Sequence, residues 1–140
     1  MKQLIFAGFF FLIPSVLYAQ NISEKQVSFV NKFVAAVDNN DVKKTYTFLD
    51  TKYRKEQTRF LNGNKEQLVN ELFSGTGMDD DTFVVIPVTE VLRIEVAEIE
   101  PNEDGSFVYI FRVRDSEHDI LASLTLIKKG RRFGFVGAVG

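Results

Sequence analysis

The chain has no cysteine, no tryptophan, three prolines and one histidine among its 140 residues. Without cysteine there are no disulfides, no thiol catalysis, no thiolate metal site and no lipoprotein anchor through an N-terminal Cys. A lone histidine, His118, rules out His-pair metal sites and leaves one residue on which a catalytic triad could be built. An excess of positive charge is missing too. The formal net charge is −2 and the pI near 5.5, so nucleic acid is not an expected partner. What remains is 45% hydrophobic and 26% charged, an ordinary composition for one folded domain with a single core, biased toward phenylalanine at fourteen residues.

Long apolar runs are also scarce, and the clearest lies at the start. Lys2 supplies a positive charge, residues 4–16 are apolar and rich in Phe, and Leu17-Tyr18-Ala19 before Gln20 forms a small-residue cleavage site. This pattern predicts a secretory signal peptide over residues 1–19 and a single mature domain over residues 20–140. A retained anchor would need about 20 apolar residues. The run here is shorter, contains Pro14 and is followed by polar Gln20 and Asn21, so no stable membrane insertion is expected after cleavage. Export points to the periplasm or the exterior of a bacterium.

The mature sequence opens with helical signals. Ser23 is placed to cap a helix, Gln26 to complete a capping box, and Ile22 to staple onto Val27. Val27, Val30, Phe33, Val34 and Val37 recur at helical spacing, with Phe29 and Ala36 widening the stripe. Asn39-Asn40-Asp41 stops this helix and Asp41 caps a shorter second one through Leu49. Residues 51–61 read as a helical extension followed by a loop. Asn64, with Gln67 in the capping-box position, starts a third helix bearing Leu68, Val69, Leu72 and Phe73, and Gly75 is expected to end it.

Strand signals fill the second half. The sheet is expected to begin over residues 83–88, with Pro87 marking an edge or break. Alternation over residues 88–96 slips around Ala97, which predicts a bulge. Residues 101–105 turn the chain into the most regular stretch, residues 106–115. Phe107, Tyr109, Phe111 and Val113 share one face of this strand, and Val108, Ile110, Arg112 and Arg114 the other. The first face suits a helical cover. The second, apolar at one end and basic at the other, suits a dimer or partner surface. Two more strands follow, joined at Lys129-Gly130. Gly134 and Gly137 leave the last one open to a close backbone approach, with Phe133, Phe135 and Val139 on one face.

The order is α+β: three N-terminal helices packed on one face of a curved antiparallel sheet of four to five strands. Phe33-Val-Ala-Ala-Val37 running into Asn39-Asn-Asp-Val42, together with the terminal Leu126-Ile-Lys-Lys-Gly-Arg-Arg-Phe-Gly-Phe135, resembles the NTF2-like superfamily, the cone-shaped cystatin-like fold. The likeness is to its small secreted bacterial members of unknown function and covers nearly all of the mature chain. The resemblance implies either an isomerase or cyclase using an Asp, often with a His or Tyr, inside the cone, or a member that only binds ligands or dimerises. No motif here maps onto those catalytic residues, so no catalytic residue is assigned.

The favoured reading is therefore an exported non-catalytic domain that binds a small apolar or amphipathic ligand or a protein partner and forms a homodimer. The alternative is an isomerase or cyclase with an acidic residue in the cone, and a weaker one is an envelope-associated structural module. Tyr46, Tyr53 and Tyr109 are candidate hydroxyls for a ligand pocket, against their reading as core residues. Residues 115–119 alternate carboxylates around His118 but lack the Gly and Glu of a calcium loop, so they read as a polar turn. Asp79-Asp80-Asp81 reads as a solvated loop, and Lys43, Lys44, Lys52, Arg54, Lys55 and Arg59 as a solvated helix face rather than an anion-binding patch. No cofactor and no metal are expected.

Overall fold

The computed structural model describes residues 22–137. The expected signal peptide and Val139 lie outside the described residues. Helix α1 (Glu24–Asp38) starts where Ser23 accepts the Gln26 N–H at 3.1 Å. The other half of the expected capping box does not form. The Gln26 side chain turns inward instead and donates from Nε2 to the Tyr109 hydroxyl at 2.8 Å, in buried surroundings. Val30, Phe33, Ala36 and Val37 bury the apolar stripe, while Val27 at its edge stays exposed. Asn40 stops the helix in the left-handed conformation, φ 57°. Its Nδ2 donates to the carbonyls of Val88 and Val91, both at 2.8 Å, which fastens the helix end to a distant turn.

Helix α2 (Val42–Thr47) is capped by Asp41, which accepts the Lys44 N–H at 3.0 Å. The expected extension through residues 51–61 is instead a separate helix, α3 (Thr51–Phe60), so the described residues hold four helices and not three. The break comes from the sheet. Phe48 and Asp50 run beside the last strand, Phe135 N–H donating to Phe48 O at 2.9 Å and Asp50 N–H donating to Phe135 O at 2.8 Å. Asp50 then restarts the helix by accepting the Tyr53 N–H at 3.0 Å.

Helix α4 (Lys65–Asn70) begins at its predicted cap, Asn64, which accepts the Gln67 N–H at 2.9 Å. It ends at Asn70 and not at Gly75. Leu72 and Phe73 bury themselves after the helix has stopped, and Gly75 lies in strand β1 (Ser74–Thr76). This strand pairs antiparallel with β2 (Phe83–Val85) as a separate two-stranded sheet, which Gly77 ties to Ile120 by a bridge. Residues 83–88 therefore do not open the main sheet. Past Pro87 the chain makes a 3₁₀ turn, Val88–Glu90, and regular pairing starts only at Arg93.

The main sheet runs β3 (Arg93–Pro101), β4 (Phe107–Arg114), β5 (Asp119–Lys129) and β6 (Arg132–Gly137), each antiparallel to its sequence neighbour, and it does not close. The architecture of the described residues is thus α+β with four helices and two antiparallel sheets. The expected bulge is present: register shifts between Val96 and Glu98, which moves Ile99 opposite Tyr109 and Glu98 opposite Ile110. Tyr109, Phe111 and Val113 face inward with Ile120, Ala122, Leu124 and Leu126 of β5. Phe33 is the hub that joins helix to sheet. Its ring centroid lies 4.5 Å from that of Phe135, 5.6 Å from Phe111 and 5.9 Å from Phe48. Each ring so buried contributes about 1.5–3 kcal/mol of apolar transfer, plus about 0.5–1.5 kcal/mol for each well-oriented pair.

The last strand is approached as closely as its glycines suggest. A Cβ on Gly134 would sit 2.7 Å from Asp50 Cα, and one on Gly137 would collide with the Tyr53 hydroxyl. Both contacts press the start of α3 onto β6.

Candidate functional site

Two surfaces gather chemistry. The first is the outer face of the sheet, built from residues of the opposite parity to the core. Val108 stands between Glu100 and Thr125, Ile110 between Glu98 and Ser123, Arg112 between Glu95 and Leu121, and Arg114 between Arg93 and Asp119. All four β4 residues are half-buried, and Leu121 is exposed.

Charge is unevenly placed on this face. Arg112 binds Asp119 in bidentate fashion, Nε to Oδ1 at 2.9 Å and Nη2 to Oδ2 at 2.6 Å, while Arg114 Nε lies 3.4 Å from the same carboxylate. The Arg112 hydrogen bonds hold the Asp119 carboxyl below the usual carboxylate range. Arg93 pairs with Glu95 at 3.4 Å. Glu98 and Glu100 have only each other, and among the described residues neither has a cation within 4 Å. Hydrogen bonding to Glu98 and its like charge raise the Glu100 carboxyl.

The second surface is an open concavity of about 480 Å³ at the start of α3. Lys52, Arg54 and Lys55 from α3 meet Lys129 and Arg132 from the β5–β6 hairpin, with Asp50 between them and Phe133 as an apolar wall. The hairpin residues were not singled out by sequence. Their basic run was visible, but its meeting with α3 depends on the pairing of residues 48–50 with β6, which has no local signature. Lys43, Lys44 and Arg59 take no part in this lining.

The three tyrosines fall in separate neighbourhoods. Tyr109 is core, its ring stacked 6.0 Å from Phe111, and burial pushes its pKa up to about 12 against the Gln26 hydrogen bond. Tyr46 has its hydroxyl 3.3 Å from Thr58 Oγ1 and its ring centroid 5.2 Å from the Arg54 guanidinium carbon and 5.3 Å from Lys65 Nζ. Tyr53 lies against Gly137, and burial raises its pKa. None of the three lines the concavity just described.

Carboxylates near the helix–sheet seam are engaged with backbone. Asp38 Oδ1 accepts the Ile94 N–H at 3.2 Å, and desolvation raises its pKa. Buried Asp50 caps α3 and pairs with Lys129 Nζ at 3.2 Å. His118 lies exposed in a turn with its Nδ1 3.1 Å from Asp115, whose hydrogen bond raises the imidazole pKa. Among the described residues no group of three or more His, Asp or Glu side chains is placed to hold a metal ion, and no helix is long and apolar enough to cross a membrane. No protein-family model matches the sequence, and no curated protein matches it.

Proposed function

We propose that the chain is an exported, non-catalytic interaction domain of NTF2-like architecture that pairs with a second copy of itself through the outer face of its sheet. The observation that carries this reading is the charge layout around an uncovered apolar centre. Val108 and Ile110 are followed along the strand by a basic end, Arg112 and Arg114 with Arg93 beside them, and are flanked on β3 by an acidic pair, Glu98 and Glu100, that among the described residues has no cation partner. A twofold axis crossing the strands obliquely, midway between Arg112 and Glu98, sets Arg112 of each copy over Glu98 of the other and buries Ile110 of both, as an isologous interface requires. Supporting it from the opposite side, Phe33, Phe73, Phe111 and Phe135 fill the space between helices and sheet that a catalytic cone would keep open.

Sedimentation velocity on the mature chain tests the proposal. The expected result is a dimer at micromolar concentration that Ile110→Asp converts to a monomer with cooperative thermal unfolding intact. A wild-type monomer at all concentrations, or an Ile110→Asp chain that fails to fold, would overturn it. Arg112→Glu should weaken the dimer, and Arg112→Glu combined with Glu98→Arg should restore it.

A further inference from the structure

The basic concavity gathers five cations around one carboxylate on a chain whose net charge is −2. Two of the five are committed within the chain: Lys129 to Asp50 at 3.2 Å, and Arg54 to the Tyr46 carbonyl at 3.3 Å. Among the described residues, Lys52, Lys55 and Arg132 have no carboxylate within 4 Å. Like charges held together without a counter-charge repel, and an anion entering among them relieves that repulsion. At about 480 Å³ the space matches that of small-molecule sites.

The wall of this concavity is equally informative. Phe133 lines it, and it also lines a second recess of about 210 Å³ in which Phe107, Leu126 and Ile127 stand with the polar Ser23, Gln26 and Lys128. Its ring is braced by Phe29, 5.6 Å away between centroids, and Lys128 Nζ lies 5.5 Å from its centroid. A basic concavity and a recess of mixed polar and apolar lining thus share one aromatic wall.

From this juxtaposition we propose that the Phe133 region binds an anionic amphiphile, a phosphate-type head among Lys52, Lys55, Lys129 and Arg132 with its apolar chain laid across Phe133 toward Phe107 and Ile127, the apolar members of the mixed recess. A phosphate head suits the site better than a carboxylate because it carries more charge and presents more oxygens to the guanidinium fork and the ammonium groups. Such a head belongs equally to a free phosphate ester and to a bilayer lipid.

The experiment uses the mature chain and four probes: dodecyl phosphate below its micelle concentration, inorganic phosphate, dodecanol, and phosphatidylcholine vesicles with and without phosphatidylglycerol. Binding is read by calorimetry and by amide NMR shifts. Dodecyl phosphate should bind at least ~tenfold tighter than either fragment and move the signals of Lys52, Lys129 and Phe133. Lys52→Glu with Lys55→Glu, both on exposed side chains, should weaken it about thirtyfold while leaving the melting temperature unchanged. Asp50→Asn keeps a competent helix cap, removes the one opposing charge and should tighten binding severalfold. Cosedimentation with anionic vesicles identifies the source as a bilayer lipid, and dodecyl phosphate binding without cosedimentation identifies a free amphiphile. Equal binding of dodecanol and dodecyl phosphate, shifts confined to other residues, or indifference to the charge reversal would overturn the proposal. These outcomes are independent of pairing between copies, because the reversed residues lie on α3 and not on the sheet's outer face.

Discussion

Strand β4 alternates between two environments along eight residues. Inward, Phe111 and Val113 are wholly buried and Tyr109 is 2% exposed, whereas outward Val108 and Ile110 stay half-buried beside two arginines. Neither hydrophobicity nor strand propensity separates Val113 from Val108 or Phe111 from Ile110. What separates them lies elsewhere in the chain. Phe33 and Phe73 lie against Phe111 on the inner face, while the outer neighbours Glu98, Ser123 and Leu121 remain exposed. Inner residues therefore contribute to folding, and outer ones keep part of their apolar surface uncovered, which is the surface the proposed pairing would bury.

The sharpest way to break this comparison is a matched pair of truncations. Phe111→Ala should destabilise the chain by about 3–5 kcal/mol, because the rings of Phe33, Phe73 and Phe135 around it cannot close the cavity. Ile110→Ala, one position away, should cost less than about 1 kcal/mol in the monomer. Urea denaturation at low protein concentration measures both. Equal losses would show that the outer face is already part of the core.

Much of this was legible from local patterns, because alternation, caps and turns act over a few residues. The two faces of β4, the slip near Ala97, the caps at Ser23 and Asn64 and the stop at Asn40 all appear where their residues suggest. The failures share one cause, which is tertiary contact overriding local spacing. Leu72 and Phe73 continue a helical stripe in sequence, yet they pack as non-helical chain once α4 has ended. The Phe48–Asp50 crossing looks like helix and is held as an edge segment by β6. Gln26 has the spacing of a cap and is drawn into the core by a hydroxyl 83 residues away. The basic concavity inherits this difficulty, since its two halves meet only through that crossing.

The Gln26–Tyr109 contact gives the next largest effect on the inner side. Gln26→Ala should leave the buried Tyr109 hydroxyl unpaired and cost about 1–3 kcal/mol. Alkaline pH tests the same group without mutation. The folded pKa, about 12, lies above the ordinary value of 10.0, so the folded state favours the neutral phenol. Its contribution is fully present below pH ~10 and is lost as pH rises toward ~12. Denaturant midpoints measured across that window should fall, and spectrophotometric titration should show Tyr109 ionising late, with Tyr53 also delayed by burial. A Tyr109 that titrates normally would mean that the inner face admits water.

The smallest effect belongs to the outer face, where Arg112 and Asp119 form the best ion pair on the sheet, with side chains 35% and 24% exposed. Solvent screening at that exposure limits the pair to less than about 1 kcal/mol in the monomer. The sign follows from the lowered Asp119 pKa: the contribution is present above the unfolded value near 3.9 and fades as pH falls through the folded one. Asp119→Asn should therefore lower stability slightly at neutral pH and not at all near pH 2, as read from denaturant midpoints. Pairing of two copies changes the expectation, because an opposing sheet would remove water from the guanidinium. At dimer-forming concentrations the same substitution should cost more than it does in the monomer. A penalty independent of protein concentration would mean that nothing covers the Arg112 end of this face, and the contrast between the two sides of β4 would then reduce to one between core and ordinary surface.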